Sequence, residues 1–285
     1  MIIYLIILTI LIILLCIILN KRKKNIVTNN YFIEKFNNSK DENKYENKYE
    51  DKYKNIQIKK EEDRYTAIII EPREHRALEF VLNNFLENLS EQWDIIIFHG
   101  NKNINFINNL FNTTLVDYKY KVKLINLKVD NLTIRDYNNL LVSKDFYNYI
   151  PTEVFLIFQT DALICSDYKD LINNFIKYDY SGAPLRENLV GNGGLSLRRK
   201  SKMLEIINNC QYKNEPEDVY FSVGCNNIII NKPSIEDAKK FSVEAIYNDV
   251  SFGVHKTWRF MNKEKLENKN NFCNGFDKLI ELNRK

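Results

Sequence analysis

Asp161, the acidic pair Glu217-Asp218 and the pair His255-Lys256 are the side chains whose types and positions best suit chemistry. Asp161 follows the apolar run Val154 to Phe158 by way of Gln159-Thr160, so it sits where a buried strand ends. Ligands of open α/β sheets bind outside the carboxyl ends of strands. A carboxylate there can hold a divalent metal, act as a base or cap a following helix, Asp being a favoured N-cap. Glu217-Asp218 stands behind Pro216 at a predicted helix start, where acids are stabilised by the helix dipole. Either acid could instead take a proton from an attacking hydroxyl. His255 lies in an aromatic, glycine-containing turn beside Lys256. It is either a structural histidine or one member of a mixed carboxylate and imidazole metal site.

Between these acids runs Gly191-Asn192-Gly193-Gly194. Glycines let backbone approach a ligand closely and adopt positive φ; a plain hairpin turn uses them equally well. No Gly-Lys-Ser/Thr follows, so this is not a P-loop. Ser196 occupies the third-glycine spacing, which excludes a dinucleotide fingerprint.

The elements that must carry these groups read as alternating strands and helices. Strands are expected at Tyr65 to Ile70, Trp93 to Phe98, Lys121 to Leu127 and Val154 to Phe158. Helical spacing appears over Arg76 to Leu89, Asn103 to Phe111 and Leu132 to Phe146. This alternation predicts a doubly wound, mostly parallel sheet flanked by helices. Right-handed crossovers then bring Glu71, His99 and Asp161 to one edge. The second half is less regular. Helices are expected at Tyr168 to Tyr178, Lys200 to Asn208 and from Pro216 to Cys225, with short strands at Leu195 to Leu197 and Asn227 to Ile230.

Residues 1–19 are almost wholly Ile and Leu, long enough to span a bilayer as one helix. No basic residue precedes the run and no small-residue cleavage site follows it, which disfavours a signal peptide. Lys21-Arg22-Lys23-Lys24 follows, and the positive-inside rule then puts the rest of the chain in the cytoplasm. Residues 20–62 are polar and charged and form a tether that buries no core. Residues 63–285 are the folded domain. A net charge of +4, much of it local, gives no argument for nucleic acid as a partner. The five cysteines show no CxxC pair and no Cys/His metal spacing. They are expected to be mostly reduced or buried.

Taken singly these signals are weak, but their order is specific. The segments FQTDALIC (158–165), YDYSGAP (178–184), GNGGLSLR (191–198), EDVYF (217–221), FSVE (241–244) and FGVHKTW (252–258) together resemble the GT-A class of nucleotide-sugar glycosyltransferases. They are closer still to a family of glycosyltransferase-like domains found in fungi, bacteria and large DNA viruses. The resemblance covers about Tyr65 to Trp258. It implies a GT-A fold and a membrane-anchored enzyme that moves a sugar from a nucleotide-sugar donor, a UDP-sugar first, to a glycan, protein or lipid acceptor.

It also implies residue roles. Asp161 matches the last acid of an Asp-x-Asp element and, with His255, would hold Mn2+ or Mg2+ on the donor diphosphate. Asp218 would be the base of an inverting transfer, and Glu217 would orient hydroxyls. Gly193 and Gly194 would line the sugar pocket, Glu71 and Arg73 the nucleotide. Lys256 would help the leaving diphosphate. Gln159 stands where the first acid of Asp-x-Asp is expected, bringing an amide but no charge to the metal. Many relatives of this kind face a lumen, against the cytoplasmic placement from the basic cluster. Gln159 also keeps open a non-catalytic module that binds a sugar nucleotide or glycan at a membrane. A metal-dependent phosphoesterase is disfavoured, since two-metal sites need more clustered ligands than three histidines supply.

Overall fold

A computed structural model describes residues 64–186, 189–225 and 227–284. The expected membrane span and tether lie outside the described residues. Among the described residues no helix is long and apolar enough to cross a membrane.

The main sheet forms around two runs with no polar alternation. β1 (Tyr65–Ile70) and β4 (Val154–Phe158) are buried along nearly their whole length, as strands covered on both faces must be. β1 pairs in parallel with β2 (Trp93–His99) on one side and β4 on the other. β3 (Val122–Asn126) adds in parallel outside β2 and, as an edge strand, is only partly buried. Beyond β4, β9 (Leu195–Arg199) runs antiparallel, and β6 (Tyr180–Gly182) pairs antiparallel with β9. The order is β3-β2-β1-β4-β9-β6. The mixed α/β class and the mainly parallel sheet agree with the sequence expectation. The chain order reverses between β1 and β4, and a crevice opens at such a switch point.

Helix α1 (Leu78–Asn88) buries Leu78, Val81, Leu82 and Phe85 on one face. Phe85 stacks on Phe158 of β4 at 3.8 Å. From the same helix Asn84 acts as a surrogate strand neighbour for Ile164. Its Nδ2 donates to Ile164 O at 3.0 Å, and its Oδ1 accepts from Ile164 N at 2.8 Å. That pair fixes β5 (Ala162–Ile164), which belongs to a second sheet of order β10-β11-β5, built from β10 (Ser242–Val243) and β11 (Gly253–His255). β7 (Pro184–Arg186) and β8 (Leu189–Val190) make a separate short hairpin.

Several expectations are corrected. The helix expected over Leu132 to Phe146 is two elements, α3 (Ile134–Leu141) and a 3-10 turn over Lys144–Tyr149, because Ser143 between them is extended. The helix from Tyr168 is 3-10 over Ser166–Asn174. No strand forms at residues 227–230, where Ile229 stands almost fully exposed with no sheet to join. Helices α2 (Ile104–Leu110), α4 (Lys200–Asn209) and α5 (Glu217–Val223) fall close to where they were expected, and a further helix, α8, spans Phe276–Asn283. Helices α6 (Ile235–Phe241) and α7 (Lys263–Phe272) complete the described set.

The expectation of reduced cysteines is also corrected, although Cys165, Cys210 and Cys273 are buried as expected. Cys165 is bonded to Cys273 and Cys210 to Cys225. The first bond straps the end of α7 to the residue after β5, across a sequence separation of 108 that no local pattern reveals. In the chain-entropy model a loop of that size is worth about 4–5 kcal/mol, and a loop of about 15 residues roughly 3. Replacing Cys165 and Cys273 by Ser is therefore expected to lower the denaturation midpoint more than replacing Cys210 and Cys225. Paired denaturant titrations of the two double variants check this.

Candidate active site

The crevice at the switch point is a cleft of about 430 Å3. All ten residues singled out by the sequence line it: Glu71, Arg73, Gln159, Asp161, Gly193, Gly194, Glu217, Asp218, His255 and Lys256. His99, at the end of β2, is buried outside it, its Nδ1 2.7 Å from Gly100 O.

Asp161 caps no helix. After Phe158 the chain turns tightly, with Ala162 N donating to Gln159 O at 3.0 Å, and enters β5 directly. β5 pairs antiparallel with β11, in a register that sets His255 opposite Ala162. Lys256 N donates to Asp161 O at 3.0 Å, which extends the ladder by one more bond. This long-range register brings Asp161 and His255 together. Asp161 Oδ1 lies 3.2 Å from His255 Nε2, and its Oδ2 lies 3.3 Å from Lys256 Nζ. Lys256 sits in left-handed backbone, at φ 50° and ψ 26°. Non-glycine residues held there cluster at functional sites.

Charges in this corner are strongly coupled. Burial alone would lower the His255 pKa, but Asp161 and Glu244 outweigh it and push it up to about 9. Burial opposes ionisation of Asp161 too, yet His255 and Lys256 hold it well below the usual carboxylate range. The short contacts are not directed as hydrogen bonds. Asp161 Oδ1 and both ring nitrogens of His255 are buried without a hydrogen-bond partner among the described residues. An oxygen and an imidazole nitrogen about 3 Å apart match adjacent corners of an octahedral Mg2+ or Mn2+ site with ligand bonds near 2.1 Å. The two residues therefore fit such an ion. Among the described residues no group of three His, Cys, Asp or Glu could hold a metal alone. A cation bound by one or two side chains completes its shell with water and substrate phosphates.

Gly193 and Gly194 also line the cleft. Gly193 and Gly194 do not use the expected positive φ; among the described glycines only Gly224 and Gly275 do. Their role is close approach. A Cβ on Gly194 would stand 2.0 Å from His255 Nε2, and one on Gly193 would stand 2.6 Å from Glu217 Oε1. The buried imidazole is confined by Asp161 and Glu244 and has no room to retreat. Gly194→Ala therefore forces the loop or the ring to shift, and is expected to cost about 1–3 kcal/mol of stability and to cut turnover by about 10²-fold, the scale of a 1 Å misplacement. Denaturation followed by circular dichroism and parallel turnover measurements check it.

Gly193 N donates to Asp218 Oδ2 at 3.3 Å, and Val219 N donates to Asp218 Oδ1 at 2.8 Å. Burial, and secondarily the charge of Glu217, raise the Asp218 carboxyl above its ordinary value. Glu217 is committed elsewhere. Both its oxygens accept from the fully buried Arg198, at 2.6 and 3.0 Å. Also in the lining, buried Glu71 accepts a fork from Arg73 Nε and Nη2, each at 2.8 Å. Asn103 Nδ2 steadies that turn through Glu71 O at 2.8 Å. Gln159 Nε2 donates to Tyr137 OH at 3.1 Å.

Sequence reasoning missed Glu244, Asn192, Arg198 and Tyr137 as parts of the site. Three of them lie inside the quoted segments FSVE and GNGGLSLR, so the signal was present without a role attached. Tyr137 carried none.

Residues 119–255 match the model of a family described as a protein of unknown function (DUF5672). No curated protein matches the chain. Among solved structures the chain is similar to HddC from Yersinia pseudotuberculosis, at 13% identity and TM-score 0.40, over 59% of this chain and 88% of that one. It is similar to the mannosyltransferase PcManGT from Pyrobaculum calidifontis, solved with GDP-Man and Mn2+, at 13% identity and TM-score 0.43, over 60% of this chain and 54% of that one. It is also similar to the glycosyltransferase GlyE of Streptococcus pneumoniae TIGR4, at 11% identity and TM-score 0.46, over 77% and 60%. These are likenesses of chain path at low identity, and the chemistry must be read from the side chains.

Proposed function

We propose that the chain is a metal-dependent glycosyltransferase of GT-A fold, moving a sugar from a nucleoside-diphosphate donor to an acceptor hydroxyl with inversion. One observation carries this reading. The buried, hydrogen-bond-free Asp161 Oδ1 and His255 Nε2 lie 3.2 Å apart in the same cleft as an anchored carboxylate, Asp218. Asp161 and His255 would hold Mn2+ or Mg2+, which supplies Lewis-acid charge for a leaving diphosphate.

The chain's own groups do the rest. Lys256 adds a second positive charge beside Asp161 for the same leaving group. Asp218 takes the proton of the incoming hydroxyl, and its raised pKa makes it a better base than an ordinary carboxylate. The Gly193 N–H fixes which oxygen it presents. Glu217, held by Arg198, supports Asp218 electrostatically instead of orienting hydroxyls itself. The Glu71–Arg73 fork offers charged and hydrogen-bonding groups at the nucleotide end, for a UDP-sugar first. Gln159, its amide committed to Tyr137, favours one other reading: a module that binds the donor without turning it over.

The test is nucleotide release by the full chain from a panel of UDP-, GDP- and other nucleotide sugars. Release is expected to need Mn2+ or Mg2+, to stop with chelator and to return on adding the ion. Release unchanged by chelator would overturn the metal reading. Donor binding without release in any metal would favour the binding module.

We also propose that residues 1–19 anchor the domain to a membrane. Two disulfides call for an oxidising compartment, which supports the lumenal orientation over the cytoplasmic one expected from Lys21 to Lys24. Protease protection in sealed vesicles separates the two.

A further inference from the structure

We propose that Glu244 is a positioning residue, which sets the His255 ring through Nδ1 and ties that setting through Asn192 to the glycine loop. The inference rests on the reading of Asp161 and His255 as a cation-holding pair. β10 and β11 run parallel with Val243 opposite Val254, so the next residue, Glu244, comes alongside His255. Glu244 Oε1 lies 3.1 Å from His255 Nδ1, while Asp161 meets the ring at Nε2. The two carboxylates therefore take opposite sides of one imidazole, and Glu244 does not compete for the nitrogen that faces the cleft. Its other oxygen accepts from Asn192 Nδ2 at 2.6 Å, and Asn192 Oδ1 accepts from Gly194 N at 3.1 Å.

Asn192, Glu244 and His255 are all buried, and Glu244 does not line the cleft. A buried carboxylate needs donors or a cation to persist. Asn192 donates to Glu244 directly, and the His255 ring stands 3.1 Å from its other oxygen. An imidazole that binds metal through one nitrogen is oriented by a carboxylate or carbonyl at the other, and losing that partner weakens metal affinity by about 10–100-fold. The same chain of contacts reaches Gly194, so the wall of the cleft and the ring it presses against are set by one group.

The test uses the full chain with Glu244→Gln, which keeps shape but not charge, and Glu244→Asp, which keeps charge but shortens reach. Free Mn2+ is followed by electron paramagnetic resonance, with and without a nucleoside diphosphate. Glu244→Gln is expected to weaken Mn2+ binding about 10–100-fold with an unchanged circular dichroism spectrum, and Glu244→Asp to fall between it and the wild type. Mn2+ binding equal to wild type in Glu244→Gln overturns the proposal. A second readout needs no metal: the Nδ1–H of His255 by proton–nitrogen NMR, identified by its absence in His255→Gln. Its chemical shift is expected to be displaced in Glu244→Gln, because the carboxylate 3.1 Å from Nδ1 loses its charge. Should the wild type take up no Mn2+, the metal reading of the cleft fails. The NMR signal then decides alone: displacement upholds Glu244 as the group that sets the ring, and an unchanged signal overturns it.

Discussion

Asp218→Asn is expected to lower the turnover of sugar transfer by about 10²–10⁴-fold, the usual worth of a positioned base. The asparagine keeps its size, and its one oxygen can keep the 2.8 Å bond from Val219 N, so the start of α5 stays in place while the longer 3.3 Å bond from Gly193 N is lost. Donor affinity should therefore change little, and the loss should fall on kcat. A variant that keeps wild-type turnover removes Asp218 from the role of base. The pH dependence supplies a second check. Asp218 must be ionised to act, so activity falls as pH drops through its pKa. Glu217 is one of the groups holding that pKa up. Glu217→Gln should therefore shift the acid limb of the rate profile to lower pH. An acid limb that moves to higher pH would contradict the electrostatic role given to Glu217.

Arg198→Met is expected to destabilise the fold by about 3–5 kcal/mol, the scale for stranding one partner of a buried ion pair. Arg198 is fully buried and packs over the rings of Tyr180 and Phe221, 5.0 and 5.5 Å from their centroids. Its Nε also donates to Ser196 Oγ at 3.0 Å, so the guanidinium joins β9 to the glycine loop above it. Without it, Glu217 keeps a buried charge with no counterion. Adding Glu217→Gln removes that charge. The double variant should then recover part of the lost stability, giving a favourable coupling in a double-mutant cycle. Chemical denaturation of the four proteins measures it. Additive losses would mean that Arg198 stabilises by packing alone.

Much of the framework was legible in residue order. The short, mostly apolar runs of β1, β2 and β4 read as buried strands, and the acids after β1 and β4 were expected at one edge. The acidic pair at the start of α5 and the glycines before β9 were placed by local composition alone. Local composition did not reveal that the chain turns from Asp161 straight into β5. Nor did it reveal that Cys165 reaches Cys273, that Arg198 occupies both oxygens of Glu217, or that Glu244 stands behind His255. Of the two properties expected of the loop glycines, they use closeness, to His255 and Glu217, and not a left-handed backbone.

The sequence by itself determined which segments are buried strands and helices and which chemical groups end them, because burial pattern and capping depend on neighbours a few residues away. The tertiary structure alone decided which groups face one another. The β5–β11 register that joins Asp161 to His255, and the β10–β11 register that adds Glu244, are set by packing between segments far apart in the chain. A slip of one residue in either would turn those side chains to the opposite face.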